Sequence, residues 1–108
     1  NVQVLGTKPD GSLWKVAVQN PDGSNDYLGI VSARDKAIVT SGGYERYFEK
    51  DNKKYHHILD PNTGYPAESD LQSVTIVSSD GTLADAYSTA LFVMGLDKSI
   101  DFWRNNSE

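Results

Sequence analysis

SVTIVSSDGTLADAYSTALFVMG, residues 73–95, changes its period halfway along. Ser73-Val-Thr-Ile-Val-Ser78 is the clearest β run in the chain, rich in branched side chains that suit a pleated, half-buried surface. From Thr82 to Met94 the spacing becomes helical, with Leu83, Ala86, Tyr87, Ala90, Leu91 and Met94 on one broad apolar face. Thr82-Leu-Ala-Asp85 matches a capping box, in which Asp85 bonds back to the Thr82 amide, and Gly95 stands where a C-cap would.

Outward from this junction, the two sides differ. Towards the C-terminus, Asp97 to Asn105 reads as a second short helix, with Asp97 near its start and Ile100 and Trp103 turned inward. Towards the N-terminus the chain reads as strands and turns. Asn1–Gly6, Leu13–Val18, Tyr27–Ser32 and Lys36–Thr40 are separated by Lys8-Pro-Asp-Gly11, Asn20-Pro-Asp-Gly-Ser-Asn-Asp26 and a short Ala33-Arg-Asp35 link. That link makes Lys36–Thr40 the expected hairpin partner of Tyr27–Ser32. After the Ser41-Gly-Gly43 break, Tyr44–Glu49 and Lys54–Leu59 form a second hairpin around polar Lys50–Lys53. Strands followed by two helices give an α+β fold: an antiparallel sheet of about five to seven strands with two C-terminal helices, in one domain over 1–108.

Composition narrows the function. Ten Lys and Arg against fifteen Asp and Glu leave a net charge of -5, which argues against nucleic acid and against an anionic membrane surface. With no cysteine, disulfides, thiolate metal sites and Cys nucleophiles are excluded. No apolar run approaches the ~20 residues of a membrane helix. There is no Gly-x-Ser-x-Gly elbow, no P-loop and no His-x-x-x-His zinc pattern.

Four stretches remain with chemical potential. Asp85 and Thr89, at i and i+4, share a helix face and offer two hard oxygens to a cation such as Mg²⁺; as a cap and an ordinary helix hydroxyl they serve structure alone. His56 and His57 are the only imidazoles. On a strand they point to opposite faces, so one can act as a base while the other packs, or both can be strand residues. Asp60-Pro-Asn-Thr-Gly64 is a stiff turn that can hold a ligand or simply reverse the chain. Ser41-Gly-Gly-Tyr-Glu-Arg46 is either a bend or a close backbone approach with Arg46 as a phosphate clamp.

In combination these stretches are more specific. Ser41-Gly-Gly-Tyr-Glu-Arg-Tyr-Phe48, Tyr55-His-His-Ile-Leu-Asp-Pro-Asn-Thr-Gly-Tyr-Pro66, Ser73–Val77 and Leu83-Ala-Asp-Ala-Tyr-Ser-Thr-Ala-Leu-Phe-Val-Met-Gly95 follow one another in that order. The chain resembles, from about Asn1 to Trp103, the C-terminal half of the ApbE family of FAD:protein FMN transferases.

The resemblance implies Mg²⁺ and FAD as cofactor and substrate, with FMN moved onto a Thr or Ser hydroxyl of an acceptor protein and AMP released. Hydrolysis of FAD to FMN and AMP is the alternative, and a non-catalytic flavin-binding or structural domain a third. The family's metal ligands fall on Asp85 and Thr89, and its important histidine on His57. Asp60 would hold His57 or the loop. Gly64, Thr63, Tyr44 and Arg46 would contact the flavin nucleotide. Alternation turns His57 to the metal helix and leaves His56 on the other side, replaceable. The resemblance further implies a larger ApbE-like fold whose missing N-terminal half completes the site, so that 1–108 alone is inactive. It also implies an extracytoplasmic, periplasmic protein, membrane-associated as a lipoprotein through an upstream lipidated cysteine.

Overall fold

The computed structural model describes residues 1–43 and 47–106. Among the described residues, seven strands precede two helices: β1 (Val2–Val4), β2 (Trp14–Gln19), β3 (Tyr27–Ala33), β4 (Lys36–Gly42), β5 (Tyr47–Lys50), β6 (Lys53–His56), β7 (Ser73–Ser78), α1 (Gly81–Met94) and α2 (Leu96–Asn106). The α+β class and the antiparallel pairing are as the sequence predicts. The strands are divided among three sheets, ordered β1-β4-β7, β2-β3 and β5-β6.

β4 is the hub. Ala37, Ile38 and Val39 are all buried, so the strand is covered on both faces. On one face Ala37 and Val39 pack with Ala84 of α1, joined by Ile76. On the other, Ile38 packs with Val4 and Ala33, backed by Val16 and Val31 of the β2–β3 hairpin. A third cluster, Ile58, Ala67 and Phe92, pins the 57–71 segment to the C-terminal part of α1.

The expected β3–β4 hairpin does not form. β3 pairs with β2 (Val16 opposite Val31), while β4 pairs with β1 and β7. Asp35, at φ 49°, turns the chain from one sheet into the next, and its carboxylate accepts from the Gly6 amide at 2.7 Å. A two-residue link thus makes a corner between packed layers where a hairpin turn was expected. The β5–β6 hairpin does form, and Asp51 and Asn52 both take the positive φ of a type I′ turn.

Helix α1 buries Leu91 of the expected apolar face, but most of its inner stripe is a different one. Leu83 and Tyr87 are substantially exposed, whereas Ala84, Ser88, Leu91 and Phe92 are buried. Small residues at 84 and 88 let the helix lie close on β4, and closeness outweighs side-chain hydrophobicity in choosing the inner face. The larger apolar stripe turns to α2, where the Tyr87 and Phe102 rings meet at 5.6 Å. In α2, Phe102 makes that contact; Trp103, expected inward, is 65% exposed, and Ile100 is partly exposed.

The N-cap also differs. Asp80 accepts from the Thr82 and Leu83 amides at 2.9 and 3.1 Å, so the capping box with Asp85 is not used. Gly95 closes the helix, its amide donating to the Leu91 carbonyl. The molecule is elongated, 52 × 34 × 20 Å, with a radius of gyration of 15.3 Å against about 13 Å for a compact chain of this length. Tyr27, Leu28 and Ile30 of β3 are accordingly exposed.

Candidate active site

Where β4 runs alongside α1, two strand residues advance about 6.7 Å and four helix residues about 6 Å. The two repeats therefore stay in step. Ala37 and Val39 meet Ala84, and Ser41, next on the same strand face, meets Ser88 and Thr89. One step round the helix from this buried line, Asp85 and Thr89 emerge into a cavity of about 470 Å³. Ser41 and Gly42 line it from β4, and His57 lines it from the segment after β6. The sequence-predicted metal pair and the predicted histidine thus share one cavity.

The Asp85 carboxylate is free of hydrogen bonds and ion pairs among the described residues, because Asp80 does the capping. The Thr89 hydroxyl lies 3.3 Å from the Asp85 carbonyl and 3.1 Å from Ser41 Oγ. Ser41 Oγ lies 2.7 Å from Ser88 Oγ, which donates to the Asp85 carbonyl at 2.9 Å. Ser88 is fully buried. Neither Ser41 nor Ser88 was singled out as a side chain in the sequence. Their signal is present but faint: small polar residues in place of the apolar ones that a β4–α1 contact would otherwise take.

The two histidines do point to different places, although β6 ends at His56 and His57 sits at a bend beyond it. His57 is exposed to the cavity and has no hydrogen bond among the described residues. His56 turns inward. Its Nε2 is 3.0 Å from the Ala67 carbonyl, its Nδ1 accepts from the Ile58 amide at 3.3 Å, and its ring meets Phe92 edge-on at 5.5 Å. A carbonyl can only accept and an amide only donate, which fixes the neutral Nε2–H tautomer. His56 is the better anchored of the two. Gly43 adjoins it so closely that an added Cβ would lie 2.7 Å from His56 Cδ2.

The remaining predicted residues lie elsewhere. Asp60 holds its own loop: its carboxylate accepts from the Asn62 amide at 2.8 Å, and its carbonyl from Thr63 and Gly64. Gly64 adopts φ 74°, and a Cβ there would meet nothing within 4 Å, so the turn itself requires the glycine. Asp60 and Thr63 line a separate cavity of about 450 Å³ with Lys53 and Glu68. There a 2.9 Å hydrogen bond raises the Lys53 pKa and lowers that of Glu68. Tyr44 and Arg46 lie outside the described residues.

The cavity lined by Asp85 presents hard oxygen donors side by side. Asp85 and Thr89 supply one carboxylate and one hydroxyl, a donor set that suits Mg²⁺ when phosphate oxygens and water fill the other positions. Among the described residues no three His, Asp or Glu groups converge to enclose a metal by themselves. No Lys or Arg among them lines the cavity either, so a phosphate entering it would meet Asp85 without a protein cation to offset the repulsion.

Comparison with known proteins places the chain in a family. The ApbE family model matches residues 1–108. An FAD:protein FMN transferase of Treponema pallidum is 49% identical over 87 residues, 80% of this chain and 24% of that protein. One from Klebsiella pneumoniae is 41% identical over 99 residues, 91% of this chain and 29% of that protein. Among solved structures, the ApbE protein of Thermotoga maritima superposes with a TM-score of 0.78 at 47% identity, covering 93% of this chain and 30% of that one. The flavin transferase ApbE of Vibrio cholerae gives 0.76 at 33% identity, covering 94% and 32%. The chain thus spans between a quarter and a third of the length of these relatives.

Proposed function

This chain belongs to the ApbE family, and from that premise we propose that it forms one side of the active site of a Mg²⁺-dependent FAD:protein FMN transferase. The observation that carries the reading is the meeting of His57, Asp85 and Thr89 at one cavity from two separate segments of the chain. Bound there, Mg²⁺ would neutralise charge on the pyrophosphate of FAD.

The chain's own residues do the rest. Asp85 and Thr89 would hold the cation, their spacing fixed by a helix that packs on β4. His57, unencumbered by other bonds, accepts the proton of an incoming Thr or Ser hydroxyl of the acceptor protein. The hydroxyl oxygen bonds to the phosphorus on the FMN side of the pyrophosphate. The bond from that phosphorus to the bridging oxygen breaks, and AMP leaves with that oxygen. Positioning and charge neutralisation are what such a transfer chiefly demands of a protein. The Asp60–Tyr65 turn, with Thr63 and Gly64, holds the backbone that follows His57, and Tyr44 and Arg46 are the proposed nucleotide contacts from the β4–β5 connection. Asp85 and Thr89 by themselves would not enclose a cation, and the chain spans only 24% of the Treponema pallidum relative and 32% of the Vibrio cholerae one, so residues 1–108 are inactive alone.

Family membership also supports a place outside the cytoplasmic membrane, with a lipid on a cysteine outside residues 1–108 as the anchor. Among the described residues no helix is long and apolar enough to cross a membrane. Fatty-acid labelling that left the full-length protein unmodified would remove the anchor.

The test is transfer by the full-length protein of flavin from FAD to a Thr-bearing acceptor, read as flavin fluorescence that stays with the acceptor after denaturation. His57→Ala should slow it by roughly 10²–10⁴-fold, the usual worth of a general base, with the melting temperature unchanged. Asp85→Ala should abolish both transfer and Mg²⁺ dependence. Free FMN and AMP with no labelled acceptor would make the protein an FAD pyrophosphatase, and unchanged activity in both variants would overturn the site.

A further inference from the structure

We propose that Ser41 and Ser88 are positioning residues that turn the Thr89 hydroxyl into a pure lone-pair donor towards the cavity. The inference rests on the cation reading of Asp85 and Thr89 given above, and it follows from counting protons.

Three hydroxyls and one carbonyl form a closed ring of four contacts: Thr89 to Ser41 at 3.1 Å, Ser41 to Ser88 at 2.7 Å, Ser88 to the Asp85 carbonyl at 2.9 Å, and Thr89 to the same carbonyl at 3.3 Å. Each hydroxyl owns one proton, and the carbonyl owns none. Three protons can fill three of the four contacts, and four such patterns exist, each leaving a different contact empty. In one, Thr89 donates to Ser41, Ser41 to Ser88 and Ser88 to the carbonyl; in the other three Thr89 donates to the carbonyl. The first gives up only the longest contact, 3.3 Å, so it is preferred.

All four patterns agree on the point that matters. The Thr89 proton is spent inside the ring, and only oxygen lone pairs face the cavity beside the Asp85 carboxylate. A threonine free to rotate would instead offer its proton outward part of the time and repel a cation. Burial strengthens the arrangement: Ser88 is 0% exposed, so its proton has no water to turn to and must stay in the ring. The ring also ties Thr89 to β4, so the ligand's position is set by the sheet as well as by the helix. Partners of this kind, one bond removed from a metal, orient the ligand that they touch.

The experiment measures Mn²⁺ affinity of the full-length protein by electron paramagnetic resonance, with Mg²⁺ as competitor, well below the melting temperature of every variant. Ser41→Ala should weaken Mn²⁺ binding roughly 10-fold or more, the common scale for losing a ligand's orienting partner. Ser41→Cys guards against misfolding, since it preserves the side chain's bulk while replacing the hydroxyl with a poor hydrogen-bonding thiol, and it should show the same loss. Ser88→Ala should cost less, because Ser41 can then donate to Thr89 and Thr89 to the Asp85 carbonyl. Asp85→Ala is the control for the parent reading: if it binds Mn²⁺ as tightly as the unaltered protein, the cation site is wrong. If Asp85→Ala abolishes binding while Ser41→Ala and Ser41→Cys bind normally, the ring has no orienting role and this proposal alone falls.

Discussion

The two walls of the cavity are held in place by opposite means. The wall that carries Asp85 and Thr89 is a helix laid on a strand, fixed by side chains too small to keep the two apart: Ala37, Ala84 and Ser88. The wall that carries His57 is an exposed bend held by the residues on either side of it. Ile58 is buried with Ala67 and Phe92, and His56 bonds to the Ala67 carbonyl and the Ile58 amide. One wall depends on the absence of bulk, the other on a small cluster fastened by two directed bonds. The difference teaches that neighbouring parts of a site can fail in different ways, and substitution can tell them apart.

The largest effect is expected where closeness does the work. Ala84→Leu forces three more carbons between α1 and β4 and should lower stability by ~3 kcal/mol, read from the chemical denaturation midpoint. A loss under ~1 kcal/mol would mean that the helix can back away and that the first wall is soft. Next comes the directed wall. His56→Ala strands the Ala67 carbonyl and the Ile58 amide and should cost ~2 kcal/mol. Because a Cβ on Gly43 would press on the His56 ring, Gly43→Ala should be damaging alone and nearly harmless beside His56→Ala. Additive losses in that double-mutant cycle would disprove the contact.

Smaller effects mark where neither mechanism reaches. Asp80→Ala removes the cap of α1 and should cost ~1 kcal/mol, with Mn²⁺ affinity nearly unchanged. Glu68→Gln should leave the melting temperature at neutral pH where it was, because its bond to Lys53 is exposed. The sign of its pH dependence is nonetheless set. Glu68 has a lowered pKa, so its contribution is present above the ordinary glutamate range and fades as pH falls through the lowered value. Lys53 has a raised pKa, so its contribution fades only as pH climbs through the raised one.

What could be read beforehand follows the same division. Local patterns were legible: β7 runs from Ser73 to Ser78 as read, and the β5–β6 turn falls on the polar linker between its arms. Pairings between distant segments were not. Nothing near Arg34 and Asp35 says that the chain turns a corner there, because the choice is made by Val4, Val16 and Ile38 packing together from three separate strands. Hydrophobic periodicity misled at α1, since an inner face chosen for smallness leaves Leu83 and Tyr87 looking more core-like than Ala84 and Ser88. The pair Asp85 and Thr89, and His57 opposite, could be named from motif. The ring behind them could not, because serines on β4 and α1 are unremarkable until the register brings them together.

Two carboxylates lie five residues apart at the start of α1, and the chain gives them separate duties. Asp80 holds the first turn together, and Asp85 faces the cavity. Had Asp85 served as both cap and ligand, each arrival or departure of a cation would have pulled against the helix that carries it. With the duties divided, α1 keeps its cap whatever Asp85 binds, and under the proposed function a cation could come and go without loosening the helix.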